Sequence, residues 1–193
     1  MISFRFQNTY YYLLQNSRDD GLLAFDAGWP CSLHGYAKAL KTTGFRFAQI
    51  SWAMISHFHI DHAGLIRDFQ DTGIECLVFE NQFVTMEAME ELAARKYPAY
   101  RRIIPDGLTR IETADSRRYF QSLGIQAEVI ATPGHSDDSV TLITDEGEAL
   151  IGDLPPFSQL MDDDLTSHRS YELIRSRGGM IMYPSHAEPF RLG

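Results

Sequence analysis

Cysteine, basic charge and unbroken apolar runs are all scarce in this chain. Its 193 residues include only Cys31 and Cys76, far apart and in no CxxC arrangement, so a CxxC redox or metal motif is excluded. Two reduced thiols in a cytoplasmic protein is a simpler reading than a disulfide between them. No stretch approaches the ~20 apolar residues of a membrane span. The opening Met1-Ile2-Ser3-Phe4-Arg5-Phe6 alternates like a strand, without the charged start and continuous apolar run of a signal peptide. Lys and Arg number 17 against 26 Asp and Glu, a net charge of -9, which argues against nucleic acid or an anionic membrane as partner. No G-x-S-x-G occurs, so the sequence carries no nucleophile elbow. Repeats, low-complexity tracts and linker-like composition shifts are absent as well, and residues 1–193 are expected to form one domain.

What is present is concentrated in one segment. Residues 57 to 62 read His57-Phe58-His59-Ile60-Asp61-His62, four metal-capable side chains in six positions. Borderline-soft cations such as zinc take imidazole nitrogen and carboxylate oxygen readily, and a tight pocket for them needs this kind of spacing. The preceding Trp52-Ala53-Met54-Ile55-Ser56 is apolar and reads as a buried strand. A strand continued to His59 would send His57 and His59 to the same side. Asp61 and His62 then fall at the turn before a helix beginning at Ala63-Gly64-Leu65-Ile66. Two ligands from a strand end and two from the following turn suit two metals rather than one. Two divalent cations would also offset part of the acidic excess.

The rest of the chain alternates strands with helices. Strands are expected at 2–7, 10–15 and 22–25, with the Arg18-Asp19-Asp20-Gly21 turn before the third. A helix capped by Ser32 runs to Gly44, and another follows the metal segment and closes near Gly73. Cys76–Phe79 reads as a strand, 83–96 as a helix stopping before Pro98, and 114–123 as a helix stopping at Gly124. Strands return at 126–131, 139–144 and 148–151, the last two joined by Asp145-Glu146-Gly147. A helix from Ser167 to Arg177 and a buried strand Met180–Tyr183 complete the order. Hairpins at both ends fit a single doubly wound parallel sheet poorly. An α/β sandwich, two sheets with helices on their outer faces, accounts for the order.

Three further donors stand just past apolar strands, in turn-forming settings where function concentrates. They are His135 in Thr132-Pro133-Gly134-His135, Asp153 after Gly152, and His186 in Pro184-Ser185-His186. Five of the seven histidines are thereby used. His34 and His168, each near a helix start, read as solvated surface residues.

In this combination the chain resembles the metallo-β-lactamase-fold hydrolases, the glyoxalase II and lactonase-like branch. The shared elements are HxHxDH, a later His after Pro-Gly, a Gly-Asp after a strand, a final His, and the early Phe25-Asp26-Ala27-Gly28. The resemblance implies an αββα four-layer sandwich with metals at one edge. It also implies that His57, His59 and His135 hold a first metal, that Asp61, His62 and His186 hold a second, and that Asp153 bridges them. Asp26 would brace the HxHxDH loop by hydrogen bonds, the alternative being an ordinary turn carboxylate. Two divalent ions are implied, zinc in the first place and iron or manganese as alternatives. With seven residues after His186, the C-terminal helical domain of glyoxalase II-like members is expected to be absent. Lactonases of this fold place a tyrosine shortly after the bridging aspartate, whereas Leu154-Pro155-Pro156-Phe157 stands here.

The chemistry expected is hydrolysis of an ester, lactone, thioester or related small-molecule bond by a metal-bridging hydroxide, with Asp61 orienting it and moving its proton. Two other readings remain: a mononuclear-iron oxygenase-like member of the same fold, and a metal-stabilised binding protein without turnover. Phe83, Met86, Met89, Tyr97 and Tyr100 read as core rather than as a pocket above the metals. Arg101-Arg102 and Arg117-Arg118 read as solvated, and Asp162-Asp163-Asp164 as a loop ahead of a helix.

Overall fold

The computed structural model describes residues 1–192, whose strands form two sheets. The first has the order β1-β2-β3-β4-β5-β6. β1 (Ile2–Phe6), β2 (Thr9–Gln15) and β3 (Leu22–Phe25) are antiparallel neighbours. β4 (Ile50–Met54), β5 (Glu75–Phe79) and β6 (Leu108–Ile111) then add in parallel. The second sheet has the order β11-β10-β9-β8-β7. It contains β7 (Ala127–Ala131), β8 (Val140–Thr144), β9 (Glu148–Gly152), β10 (Ile181–Pro184) and the short β11 (Phe190–Arg191).

Period-2 burial on both faces of each sheet builds the layers. In the first sheet Tyr11, Leu13, Leu22, Ala24, Ala53, Cys76 and Val78 face one apolar cluster. They meet there Tyr36 and Leu40 of α1 (Leu33–Leu40), Ile66 and Phe69 of α3 (Ile66–Asp71), and Met89 and Ala93 of α4 (Phe83–Lys96). The alternate residues Tyr12, Leu14, Leu23, Phe25, Met54, Leu77 and Phe79 face Val129, Val140, Leu142 and Leu150 of the other sheet. Phe120 of α5 (Ser116–Ser122) closes that middle layer. On the far side Ile130, Ile143, Ala149, Ile151 and Met182 pack on Tyr171 and Ile174 of α6 (Leu165–Ser176). The result is the αββα four-layer sandwich expected from the sequence. No described helix is long and apolar enough to cross a membrane.

Several local expectations are corrected. β4 stops at Met54, so His57 and His59 lie on a loop rather than on a strand. The ladder ends because the Ser56 N–H donates to the Asp26 carboxylate at 2.7 Å instead of to a neighbouring strand. The helix expected from Ala63 is split into α2 (Ile60–Ala63), which already contains Asp61 and His62, and α3. Ser32 occupies the cap position of α1, but its hydroxyl donates back to the Trp29 carbonyl at 2.6 Å and caps nothing. α6 begins at Leu165 rather than Ser167, because Asp164 accepts from the Ser167 N–H at 3.0 Å and is its true cap. The last long strand is shifted by one residue, and Met180 is exposed. β6 and β11 were not anticipated; each is short, and β6 pairs on one side only, at the sheet edge.

Candidate metal centre

β3, β4 and β5 are parallel in one sheet, and β7, β9 and β10 share a direction in the other. Their C-terminal ends release the loops that carry Asp26, His57–His62, His135, Asp153 and His186. Strand ends of this kind are where backbone leaves the hydrogen-bonded ladder and side chains become free to converge.

Two clusters of donor atoms form there, each with its atoms within 4.8 Å of one another: His57, His59, His135 and Asp153, and Asp61, His62, Asp153 and His186. Asp153 belongs to both. In the first cluster His59 Nδ1 stands 2.9 Å from His57 Nε2 and 3.0 Å from His135 Nε2. Asp153 Oδ2 is 3.6 Å from His135 Nε2 and 3.9 Å from His57 Nε2. In the second, His186 Nε2 lies 3.1 Å from Asp61 Oδ2, and His62 Nε2 lies 3.3 Å from Asp61 Oδ2 and from Asp153 Oδ1. All seven residues singled out in the sequence are thus brought together. His34 is exposed and apart, and His168 sits against Phe157 near the Met161 carbonyl.

The outward nitrogens of three imidazoles are held by acceptors. His62 Nδ1 is 2.8 Å from Asp26 Oδ2, His57 Nδ1 is 2.9 Å from Ser56 Oγ, and His186 Nδ1 is 2.9 Å from the Asn8 carbonyl. Each contact suits a proton on Nδ1 and directs Nε2 into the cluster. Asp26 is fully buried and adopts φ +72. That costly conformation is held by its carboxylate, which also accepts from Ser56 Oγ at 3.1 Å and Ser185 Oγ at 3.3 Å. These hydrogen bonds tie Asp26 to Ser56 and His62, on either side of the His57–His59 segment, and to Ser185.

Electrostatics divides the site. Burial holds the His57 and His135 imidazoles below their ordinary range, His57 strongly. For His62, burial is the largest single influence and opposes charging, but the Asp26, Asp153 and Asp61 carboxylates together outweigh it, and the imidazole is raised. Hydrogen bonds to Asp153 and Asp61 push His186 up to about 10. Burial of Asp61 and Asp153 is outweighed by His186 and His62, and both carboxyls stay well below the usual carboxylate range.

The donor set fits divalent cations. Zn–N bonds of 2.0–2.1 Å imply roughly 3.3–3.4 Å between neighbouring ligand atoms of a tetrahedron, within the 2.9 to 3.9 Å spacings found here. His62 Nε2 and Asp153 Oδ1 are buried without a directed hydrogen bond, an arrangement that is costly unless something else satisfies both atoms.

Residues missed in the sequence complete the support. Ser56 links Asp26 to His57. Asp138 is buried, and its Oδ2 accepts from the Phe58 N–H and from Thr85 Oγ1, each at 2.7 Å, tying the His57–His59 loop to α4. Gln82 donates to the Ile55 carbonyl at 3.0 Å. None of these has a spacing signal; Ser56 adjoining His57 was the only available hint. The arginines expected to be solvated form surface pairs, Arg101 with Asp68 and Asp71 and Arg117 with Asp145. Met89 lies in the core, and Phe83, Met86, Tyr97 and Tyr100 pack against it.

A sandwich of this layering with two histidine–aspartate clusters at one edge defines an α/β protein with a candidate binuclear metal centre. The metallo-beta-lactamase superfamily model matches residues 4–176, and the chain belongs to that superfamily. It is 24% identical over 184 residues to the mouse metallo-beta-lactamase domain-containing protein 1, covering 89% of this chain and 62% of that one. It is 27% identical over 192 residues to the Caenorhabditis elegans beta-lactamase-like protein 2 homolog, covering 95% and 57%. The chain therefore spans about three fifths of the length of these relatives. Among solved structures, TTHA1623 in a di-iron-bound form superposes with a TM-score of 0.69 at 20% identity, covering 95% of this chain and 89% of that one.

Proposed function

We propose that this chain is a binuclear metal-dependent hydrolase acting on an ester, lactone, thioester or related small-molecule bond. The observation that supports this reading best is the position of Asp153, whose carboxylate stands 3.6 Å from His135 of the first cluster and 3.3 and 3.4 Å from His62 and His186 of the second. Asp153 would bridge two cations, His57, His59 and His135 would hold the first, and Asp61, His62 and His186 the second. Divalent cations held there would supply Lewis acidity toward a carbonyl or phosphoryl oxygen and water whose pKa is brought toward neutrality.

The chain's own residues do the rest. Asp26, Ser56 and the Asn8 carbonyl keep His62, His57 and His186 in the tautomer that presents Nε2. Asp61, partly open to solvent beside them, accepts the proton of the attacking water and returns it to the leaving atom. No serine or cysteine nucleophile takes part in this scheme.

The imidazole and carboxylate donors favour zinc. The di-iron form of TTHA1623 makes iron the alternative to measure. Protein purified without added metal should contain two equivalents of zinc and turn over at least one member of an ester, lactone and thioester panel. Mainly iron with oxygen consumption would replace this reading by the oxygenase. Full metal occupancy with no turnover across the panel would replace it by the binding protein.

A further inference from the structure

A groove of about 440 Å³ opens directly beside the candidate metal centre, with His59 and Asp61 in its lining. A stripe of α4 lines it as well: Thr85, Ala88, Met89 and Leu92 stand at i, i+3, i+4 and i+7, one face of the helix. Phe58 and Ile60 add apolar surface. The five residues read from the sequence as core, Phe83, Met86, Met89, Tyr97 and Tyr100, all pack in or against the core, and Met89 also lines the groove.

The polarity of the surroundings is one-sided. Among the described residues, no Lys or Arg lines this groove or the smaller one on the opposite flank of the centre, between Leu154, Pro155 and Ala187. The charged side chains that do line the larger groove are carboxylates, Asp61 and Asp138. Asp138 is already committed to Phe58 and Thr85. A carboxylate or phosphate on the distal part of a substrate would meet no counter-ion in the lining, and burying it unpaired is costly. An alkyl or aryl chain would instead gain contact along the length of the stripe.

We propose that the substrate's acyl or alkyl part is an uncharged apolar chain several carbons long, seated on the Thr85–Leu92 stripe of α4 with its reactive carbonyl at His59 and Asp61. This specificity rests on the hydrolase reading above. Ala88, exposed on the helix surface, becomes the residue that sets which chain ends are accepted.

The test compares phenyl acetate, phenyl octanoate and the phenyl monoester of suberic acid, which ends in a carboxylate, on the metal-loaded chain. The octanoate should exceed the acetate in kcat/KM by about tenfold or more, and the suberate monoester should fall below the octanoate. Ala88→Lys, with Tm as the check on folding, should raise the suberate monoester relative to the octanoate. Equal rates on all three esters, or a preference for the charged end that Ala88→Lys leaves unchanged, would overturn the proposal. If none of the three is hydrolysed, the groove is judged by binding of the neutral fluorophore N-phenyl-1-naphthylamine. Binding abolished by Ala88→Trp upholds the apolar seat while the hydrolase reading fails; absent binding, or binding indifferent to Ala88→Trp, overturns the seat as well.

Discussion

Asp26 Oδ2 lies 2.8 Å from His62 Nδ1, and both side chains are fully shielded from solvent. The pair joins the end of β3 to the α2 turn and fixes which nitrogen of His62 faces the clusters. Asp26→Asn keeps a residue that tolerates positive φ but removes the charge that holds the imidazole. Affinity for one cation should fall by roughly 10–100-fold, read by competition with a chromophoric chelator. An unchanged affinity would show that His62 needs no brace.

His59→Ala removes the nitrogen that both His57 and His135 face. Metal content should drop below two per chain, and activity should fall with it. Metal analysis that still returns two equivalents would mean the ligand assignment is wrong.

Gly152 adopts φ +56, and a Cβ there would come 2.5 Å from the Cβ of Ser56. Gly152→Ala therefore adds left-handed strain to a clash beneath Asp153, a loss of about 2–4 kcal/mol. Urea unfolding measures it. A loss below about 1 kcal/mol would show that the loop relaxes freely.

Chelation should lower Tm, because ligands that bind only the native state stabilise it by mass action. Readdition of zinc should restore Tm and magnesium should not, since the site is built largely from imidazole nitrogen. Calorimetry with and without a chelator tests both halves. A Tm indifferent to chelation would separate the clusters from metal binding.

The two thiols should react very differently. Cys31 is exposed, while Cys76 is buried and its thiol is pushed up to about 12, chiefly by burial. Raising the pH from 7 to 9 increases the thiolate fraction of an exposed thiol with a pKa of about 8.5 roughly 25-fold, and partial burial, which raises the Cys31 thiol, shifts its gain toward the upper end of that window. For Cys76 the native-state value lies above the window, so its thiol stays protonated. A disulfide reagent should titrate one thiol in the native chain and two in denaturant. Two equivalents reacting rapidly without denaturant would contradict the burial.

Much of the fold is legible in the residues themselves because burial on both faces leaves continuous apolar runs such as Leu22–Phe25 and Cys76–Phe79. β6 and β11 are short strands without such a run, and their pairing partners lie far along the chain or across a turn. The seven candidate ligands are legible because metal chemistry restricts residue type, and strand ends restrict where such residues stand. Ser56, Gln82 and Asp138 are not, since serine, glutamine and aspartate are common polar residues that acquire meaning only through a partner. For Asp138 that partner is the Phe58 N–H, 80 residues away in the chain.

By itself, then, the sequence determined the layered α/β architecture, the donor set and the strand ends that carry it, because periodicity and side-chain chemistry are local properties. Only the tertiary structure decided that Asp153 is shared between two clusters, that Asp26 and Ser56 orient the imidazoles, and that the 85–92 face of α4 opens beside the centre. Those are relations between distant segments. They arise from packing two sheets face to face, and no spacing along the chain encodes the distances that result.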